Sequence, residues 1–274
     1  MSVSGVRSCV AVVVALTASF VAWGKEFGVD FFGRAYLESA YLSSSGVLSY
    51  TEPVAEQYAV VTANLRDYGK VWLDAWVCSA LNDQTDEVHR RYAYICEDTL
   101  MYGYDWELSD KVKLSTAAGA LWDFLFGYEK ETDFPIFWYA HQYLHNPYLT
   151  PYWNGLGKTE QKGKVRIRAG VQRALFPLES LTITPFAETT WGDKARFESN
   201  YGEEPNGGFL GGAIMFVTFG LFAEWRFTDH WHLWGRYRQY LVANSQAWNL
   251  VDAKDSPTAE TSFPIFGLGV GCRF

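Results

Sequence analysis

Two pairs of arginines set two residues apart, Arg166 with Arg168 and Arg236 with Arg238, carry the clearest chemical signal in this chain. Residues i and i+2 of an extended strand project from the same face. Each pair therefore sets two guanidiniums side by side, a fork suited to carboxylate or phosphate oxygens. Arg34 with Glu38 and Lys70 with Asp74, four apart, share a strand face by the same rule, and Glu188 and Glu224 add acidic partners. Lys164 and Arg226 belong to the same set of faces. Opposite charges held apart across an enclosed space create a transverse field, whereas paired charges mostly fill it.

Hydrolytic chemistry finds less support. A Ser nucleophile needs a His base and an orienting polar group close by. Of His89, His141, His145, His230 and His232, only His141 and His232 fall within strand-like segments, and no Ser stands on an adjacent segment at a matching depth. His230 and His232 are two apart but supply only two ligands, so no zinc site is expected. The chain is expected to be neither an enzyme nor the holder of a metal or cofactor.

Such charges need a scaffold. The chain has 274 residues, of which 12 are Trp, 17 Tyr and 19 Phe, far too aromatic for disorder. A mean hydropathy of −0.11 is too polar for a bundle of membrane helices. The net charge of −8, with no clustered Lys/Arg stretch, argues against nucleic acid as a partner. At the N-terminus, Arg7 precedes an apolar stretch from Cys9 to Val21, and Ala22 and Gly24 set small residues before Lys25. This reads as a secretory signal peptide over 1–24, removed to leave 25–274 as one domain.

Beyond Lys25 the sequence falls into period-two segments. Val71, Leu73, Ala75 and Val77 alternate with Lys70, Trp72, Asp74 and Trp76; Val165, Ile167, Ala169 and Val171 alternate with Lys164, Arg166, Arg168 and Gln172. Twelve such strands can be counted: 29–41, 57–65, 70–81, 91–106, 111–124, 134–144, 148–156, 164–175, 181–191, one ending near Arg226, 231–242, and one closing at Phe274. Five short turns alternate with six longer polar loops, so both termini lie at the short-turn end. Pro205 to Ala223 is an uncharged run that a hydropathy window would flag as a membrane helix; its glycines, Phe and Val favour a strand instead. A secreted β-sandwich is the soluble alternative, but its connections would not alternate long and short so regularly. The pattern points to an all-β fold: a membrane-spanning antiparallel up-and-down β-barrel of twelve strands, closed because lipid offers no partner for a free edge.

The terminus adds a motif. Phe266, Leu268, Val270, Cys272 and Phe274 share one face, with Gly267, Gly269, Gly271 and Arg273 on the other. A terminal Phe preceded by alternating apolar residues resembles the C-terminal strand signature of Gram-negative outer-membrane β-barrels, and the chain is similar in size and strand number to small twelve-stranded porins. The resemblance implies recognition of Phe266, Leu268, Val270 and Phe274 by the barrel-assembly machinery, residence in the outer membrane among lipid and lipopolysaccharide, and passage of small solutes. No family's functional residues are carried over.

If the apolar faces point outward, the lumen is lined by Arg34, Glu38, Lys70, Asp74, Arg166, Arg168, Glu188, Glu224, Arg236 and Arg238. A narrow passive pore for small polar or anionic solutes follows, with Trp72, Trp76 and Trp234 as stacking surfaces. The plainer account is a lumen packed with side chains and water and no preferred solute, and the alternative role is a non-conducting structural or surface-interaction barrel. A hairpin centred on Leu178 sets Arg168 opposite Glu188 and Gly170 opposite Phe186. Centring on Asp229 leaves Glu224 diagonal to Arg236. Tyr41, Tyr68, Tyr104, Trp106, Trp153, Trp191 and Trp231, near strand ends, are expected to anchor at the lipid headgroups. Acidic residues including Glu52, Glu56, Asp83, Asp86, Glu87, Glu198, Glu203 and Glu204 are assigned to solvated loops. A register that sets Cys78 opposite Cys96 across the 82–90 loop would permit a bond in an oxidising compartment, and the sequence leaves that register open.

Overall fold

The computed structural model describes residues 28–42, 48–81, 94–109, 112–125, 131–133, 135–142, 148–154, 165–253 and 260–274. Side chains are described chiefly in 28–81 and 165–274. The expected signal peptide and Lys164 lie outside the described residues.

The strands are β1 (Val29–Glu38), β2 (Tyr41–Leu42), β3 (Leu48–Tyr50), β4 (Val54–Asn64), β5 (Lys70–Ala80), β6 (Tyr94–Ser109), β7 (Val112–Leu125) and β8 (Glu131–Asp133). They continue as β9 (Pro135–Gln142), β10 (Tyr148–Asn154), β11 (Val165–Gln172), β12 (Leu175–Leu178), β13 (Leu181–Gly192), β14 (Ala213–Arg226), β15 (Trp231–Val242) and β16 (Ser262–Arg273). Two short helices lie in long connections: α1 (Lys194–Tyr201) and α2 (Ser245–Asp252). Among the described residues, no helix is long and apolar enough to cross a membrane.

Pairing is antiparallel throughout and follows chain order through β4, β5, β6, β7, β9, β10 and β11, with β8 a side branch on β7. On the other side of β1 the order is β16, β15, β14 and β13. β12 completes that side by pairing with β13, and β11 pairs with β13 as well, from Arg166↔Gly192 to Gln172↔Phe186. First strand pairs with last from Phe32↔Arg273 to Glu38↔Gly267. The 205–223 run resolves as a loop followed by β14, as its glycines and β-formers suggested.

Alternation sorts the faces. On β16, Phe266 and Leu268 are 57% and 68% exposed, whereas Ile265 is fully covered. Leu37, Leu73, Val171, Phe219, Leu221, Leu233 and Val270 extend this exposed apolar belt. At the short-turn end Tyr68, Trp106 and Trp231 are exposed, in keeping with headgroup anchors. Tyr41 is not one: it is buried and stacks on Trp76 at 5.6 Å. Hairpin chemistry fixes the short ends. Gly69, at φ +94°, closes the β4–β5 turn by donation of Leu65 N–H to its carbonyl, and a Cβ there would meet the Gly103 carbonyl at 2.4 Å.

Candidate functional site

The inner wall is built over a glycine ladder. Gly267, Gly269 and Gly271 of β16 lie opposite Glu38, Tyr36 and Arg34 of β1, and on their other side opposite Arg236, Trp234 and His232 of β15. With no side chain between them, long residues of β1 and β15 meet across β16. Tyr36 and Trp234 approach to 5.0 Å between ring centroids. The guanidiniums of Arg34 and Arg236 lie 4.6 and 4.9 Å from the Trp234 ring. A Cβ at position 267 would meet Glu38 Oε1 at 2.7 Å and Trp234 at 3.2 Å, and one at 271 would meet His232 Nε2 at 2.2 Å. The ladder is legible in the terminal motif as the face opposite the aromatic and aliphatic one; its use as a meeting ground is not.

The charged residues form three groups. Glu38, its side chain fully buried, accepts an ion pair from Arg236 on Oε1 and from Arg238 on Oε2, the latter at 2.7 Å. A carboxylate at this depth between two guanidiniums is strongly held, because removing either sign strands the other. Arg168 donates to Glu188 at 2.6 Å, as anticipated, but not by direct opposition. Arg168 is opposite Thr190, Gly170 opposite Glu188 and Gln172 opposite Phe186. The expected register is off by one pairing step because 176–178 is strand, not turn: β12 runs to Leu178, and a bulge lies between Leu175 and Leu178. The ion pair therefore runs diagonally. Phe186 stands opposite Gly220 and stacks on Phe222 at 4.6 Å, so the ring-over-glycine pairing exists with a different glycine.

The third group centres on Glu56, assigned by sequence to a surface loop. It lies in β4, buried, where its Oε2 accepts the Tyr36 hydroxyl at 2.6 Å and the Trp76 indole N–H at 2.9 Å. The signal was parity: Glu56 shares a face with Tyr58, and the strand begins at Val54, three residues before the expected start at 57. Lys70 lies at the other end of this wall, its Nζ 5.7 Å from the Trp72 ring, and Asp74 stands opposite Val60 and Thr99. Arg166 is buried on β11, and Glu224, opposite Trp234 as the 229-centred turn required, reaches His232 Nε2 at 3.9 Å. Arg226 donates to the Glu179 carbonyl at 2.9 Å. Trp76 and Trp234 are not free stacking surfaces, since the wall's own carboxylate and guanidiniums occupy them.

The long-loop end is closed differently. Asp193 caps α1 by accepting Arg196 N–H at 2.8 Å and binds Val165 N–H at 3.0 Å, tying the loop to β11. Asn244 caps α2, and the Gln246 side chain bonds the backbone of Glu204 and Asn206, joining the two loops. The β13–β14 bulge at 190/191 buries Met215, whose sulfur accepts from Asn200 Nδ2 and whose carbonyl accepts the Tyr201 hydroxyl, each at 3.3 Å. Phe197, Tyr201, Ala247, Leu250 and Val251 of the helices pack with Leu48 against Phe216, Tyr240, Val242 and Ile265. Burial pushes the Tyr201 hydroxyl well above the usual phenol range, assisted by neighbouring Tyr240. Sequence treated these loops as polar connections: helices of eight residues are too short for a periodic signal, though Asp193 and Asn244 are cap residues and 247, 250 and 251 keep helical spacing.

Cys78 is buried and free, opposite Ile95, while Cys96 is opposite Val77, so the two are offset by one residue and the contemplated bond is not formed. His230 stacks on Phe274 at 4.9 Å in the turn, apart from inward His232.

No family model matches the chain, and no curated relative matches it. Among solved structures, the COG4313 outer membrane channel from Pseudomonas putida F1 superposes with a TM-score of 0.51 at 10% identity, covering 90% of this chain and 95% of that one. The translocator domain of autotransporter NalP from Neisseria meningitidis superposes at 0.47 and 12% identity, covering 98% of each chain, and the KdgM porin at 0.47 and 7%, covering 89% and 99%. At these identities the likeness concerns architecture alone. Strand pairing, face alternation and the first of these comparisons agree that the chain has the fold of a membrane-spanning outer-membrane β-barrel.

Proposed function

We propose that the protein is a narrow passive pore of a Gram-negative outer membrane, admitting small polar or anionic solutes, and that no catalytic step is part of its role. The observation that carries this reading is the contrast across one sheet: an apolar exposed belt outside, and inside it a wall of guanidiniums, carboxylates and aromatic hydroxyl and indole groups through the middle of β1, β4, β13, β14, β15 and β16. A barrel needing only mechanical stability is more simply filled with apolar side chains. In this reading the long loops face outward toward lipopolysaccharide, the short turns face the periplasm, and the barrel-assembly machinery engages the Phe266, Leu268, Val270 and Phe274 face. Single-channel recording of the refolded protein tests it: stepwise conductance is expected, and its absence at every voltage rejects the pore.

One observation favours a second reading, a non-conducting structural barrel. The helices α1 and α2 pack an apolar cluster on the inner face at the long-loop end, narrowing that mouth with groups that exclude water. The same recording separates the two.

A further inference from the structure

Arg34 and Arg273 hold their guanidiniums over one ring, 5.1 and 5.5 Å from the centroid of Phe32. His232 stacks on that ring at 5.8 Å. Phe32 and Arg273 are opposite one another, one step from the Arg34–Gly271–His232 row, at the short-turn end of the inner wall. Other arginines there are occupied: Arg236 and Arg238 by Glu38, Arg168 by Glu188, Arg226 by the Glu179 carbonyl. Among the described residues, Arg34 and Arg273 have ring partners but no side-chain hydrogen bond or ion pair. Arg34 Nε and His232 Nε2 are buried without a hydrogen-bond partner. The carboxylate within electrostatic reach of Arg34 and His232 is Glu224, 3.9 Å from His232 Nε2. Two guanidiniums share the Phe32 ring, and the carboxylate beside Arg34 is Glu224.

We propose that Arg34 and Arg273, seated on Phe32, form a binding site for the carboxylate or phosphate group of a small solute in the lumen. This deepens the pore reading and rests on it for the site's access to solute. It also relocates the anion-selective element from the arginine pairs of β11 and β15 to β1 and the end of β16. Planar guanidiniums held by ring contacts keep their N–H edges free, so an oxyanion can be gripped with little reorganisation. Glu224 opposes a second negative group, which restricts the site to one oxyanion at a time.

The test uses glucuronate and inorganic phosphate as probes on the refolded protein, with heat-modifiable gel mobility confirming the fold of each variant. Trp234 adjoins Arg34, so tryptophan fluorescence reports binding without requiring conduction. Saturable fluorescence change and saturable current block are expected with both probes. Arg34→Gln and Arg273→Gln should each raise the half-saturating concentration roughly tenfold, the scale of one charged hydrogen-bonding partner, and Arg34→Lys should recover part of the loss. Unchanged half-saturation in both Gln variants overturns the site. Step conductance with no saturation by either probe rejects the site and leaves the pore. Saturable fluorescence without conductance keeps the site and rejects the pore.

Discussion

The same three strands, β14, β15 and β16, change character with depth. Toward the long loops their inward residues are Phe216, Tyr240, Val242 and Ile265, sealed under two helices; toward the short turns they are Glu224, Arg236, Arg238 and three glycines. The first region is held by burial of apolar surface, which is non-directional and tolerates repacking. The second is held by ion pairs whose partners must sit within hydrogen-bond reach, so position matters more than volume. The comparison teaches that one face of one sheet can be a dry core at one end and a charged lining at the other without breaking alternation.

Four variants test that contrast. The largest effect is expected from Gly267→Val, which drives a side chain into Glu38 and Trp234 at the centre of the charged region; refolding yield by heat-modifiable mobility should fall to near zero. Glu38→Gln should follow, at about 3 kcal/mol lost in denaturant unfolding, because Arg236 and Arg238 are left without their shared carboxylate. In any conducting population, reversal potentials should move toward anion preference. At the apolar end, Phe197→Ala combined with Tyr201→Ala should leave the barrel ladder intact and about double single-channel conductance if the helix pair is the constriction. An unchanged conductance would place the constriction among the arginines instead. Glu188→Gln should cost least, about 0.5 kcal/mol, since Arg168 is 35% exposed and water replaces the lost partner.

Alternation made the barrel readable. Strand periods placed β5, β13, β15 and β16 within a residue or two, because a sheet between lipid and lumen must alternate at every position. The same parity put Arg34, Glu38, Arg166, Arg168, Glu188, Glu224, Arg236 and Arg238 on one side, though it grouped them as a wall without saying which were already paired. Glu56 was lost because its strand opens with Val54-Ala55, just after a polar loop, where alternation had not yet begun. Tyr41 was misplaced because position near a strand end does not tell an interface ring from one turned inward.

The sequence alone determined which residues share a face, since two-residue periodicity is a local consequence of backbone geometry. Only the tertiary structure decided which faces meet: Glu38 reaches Arg238 two hundred positions away because β1 and β15 flank a glycine-lined β16. Register across strands depends on bulges and turn lengths that shift by single residues, and occupancy of each charge depends on that register. A charged residue's face is therefore written locally, while its partner, and so its freedom to meet a solute, is set by the assembled wall.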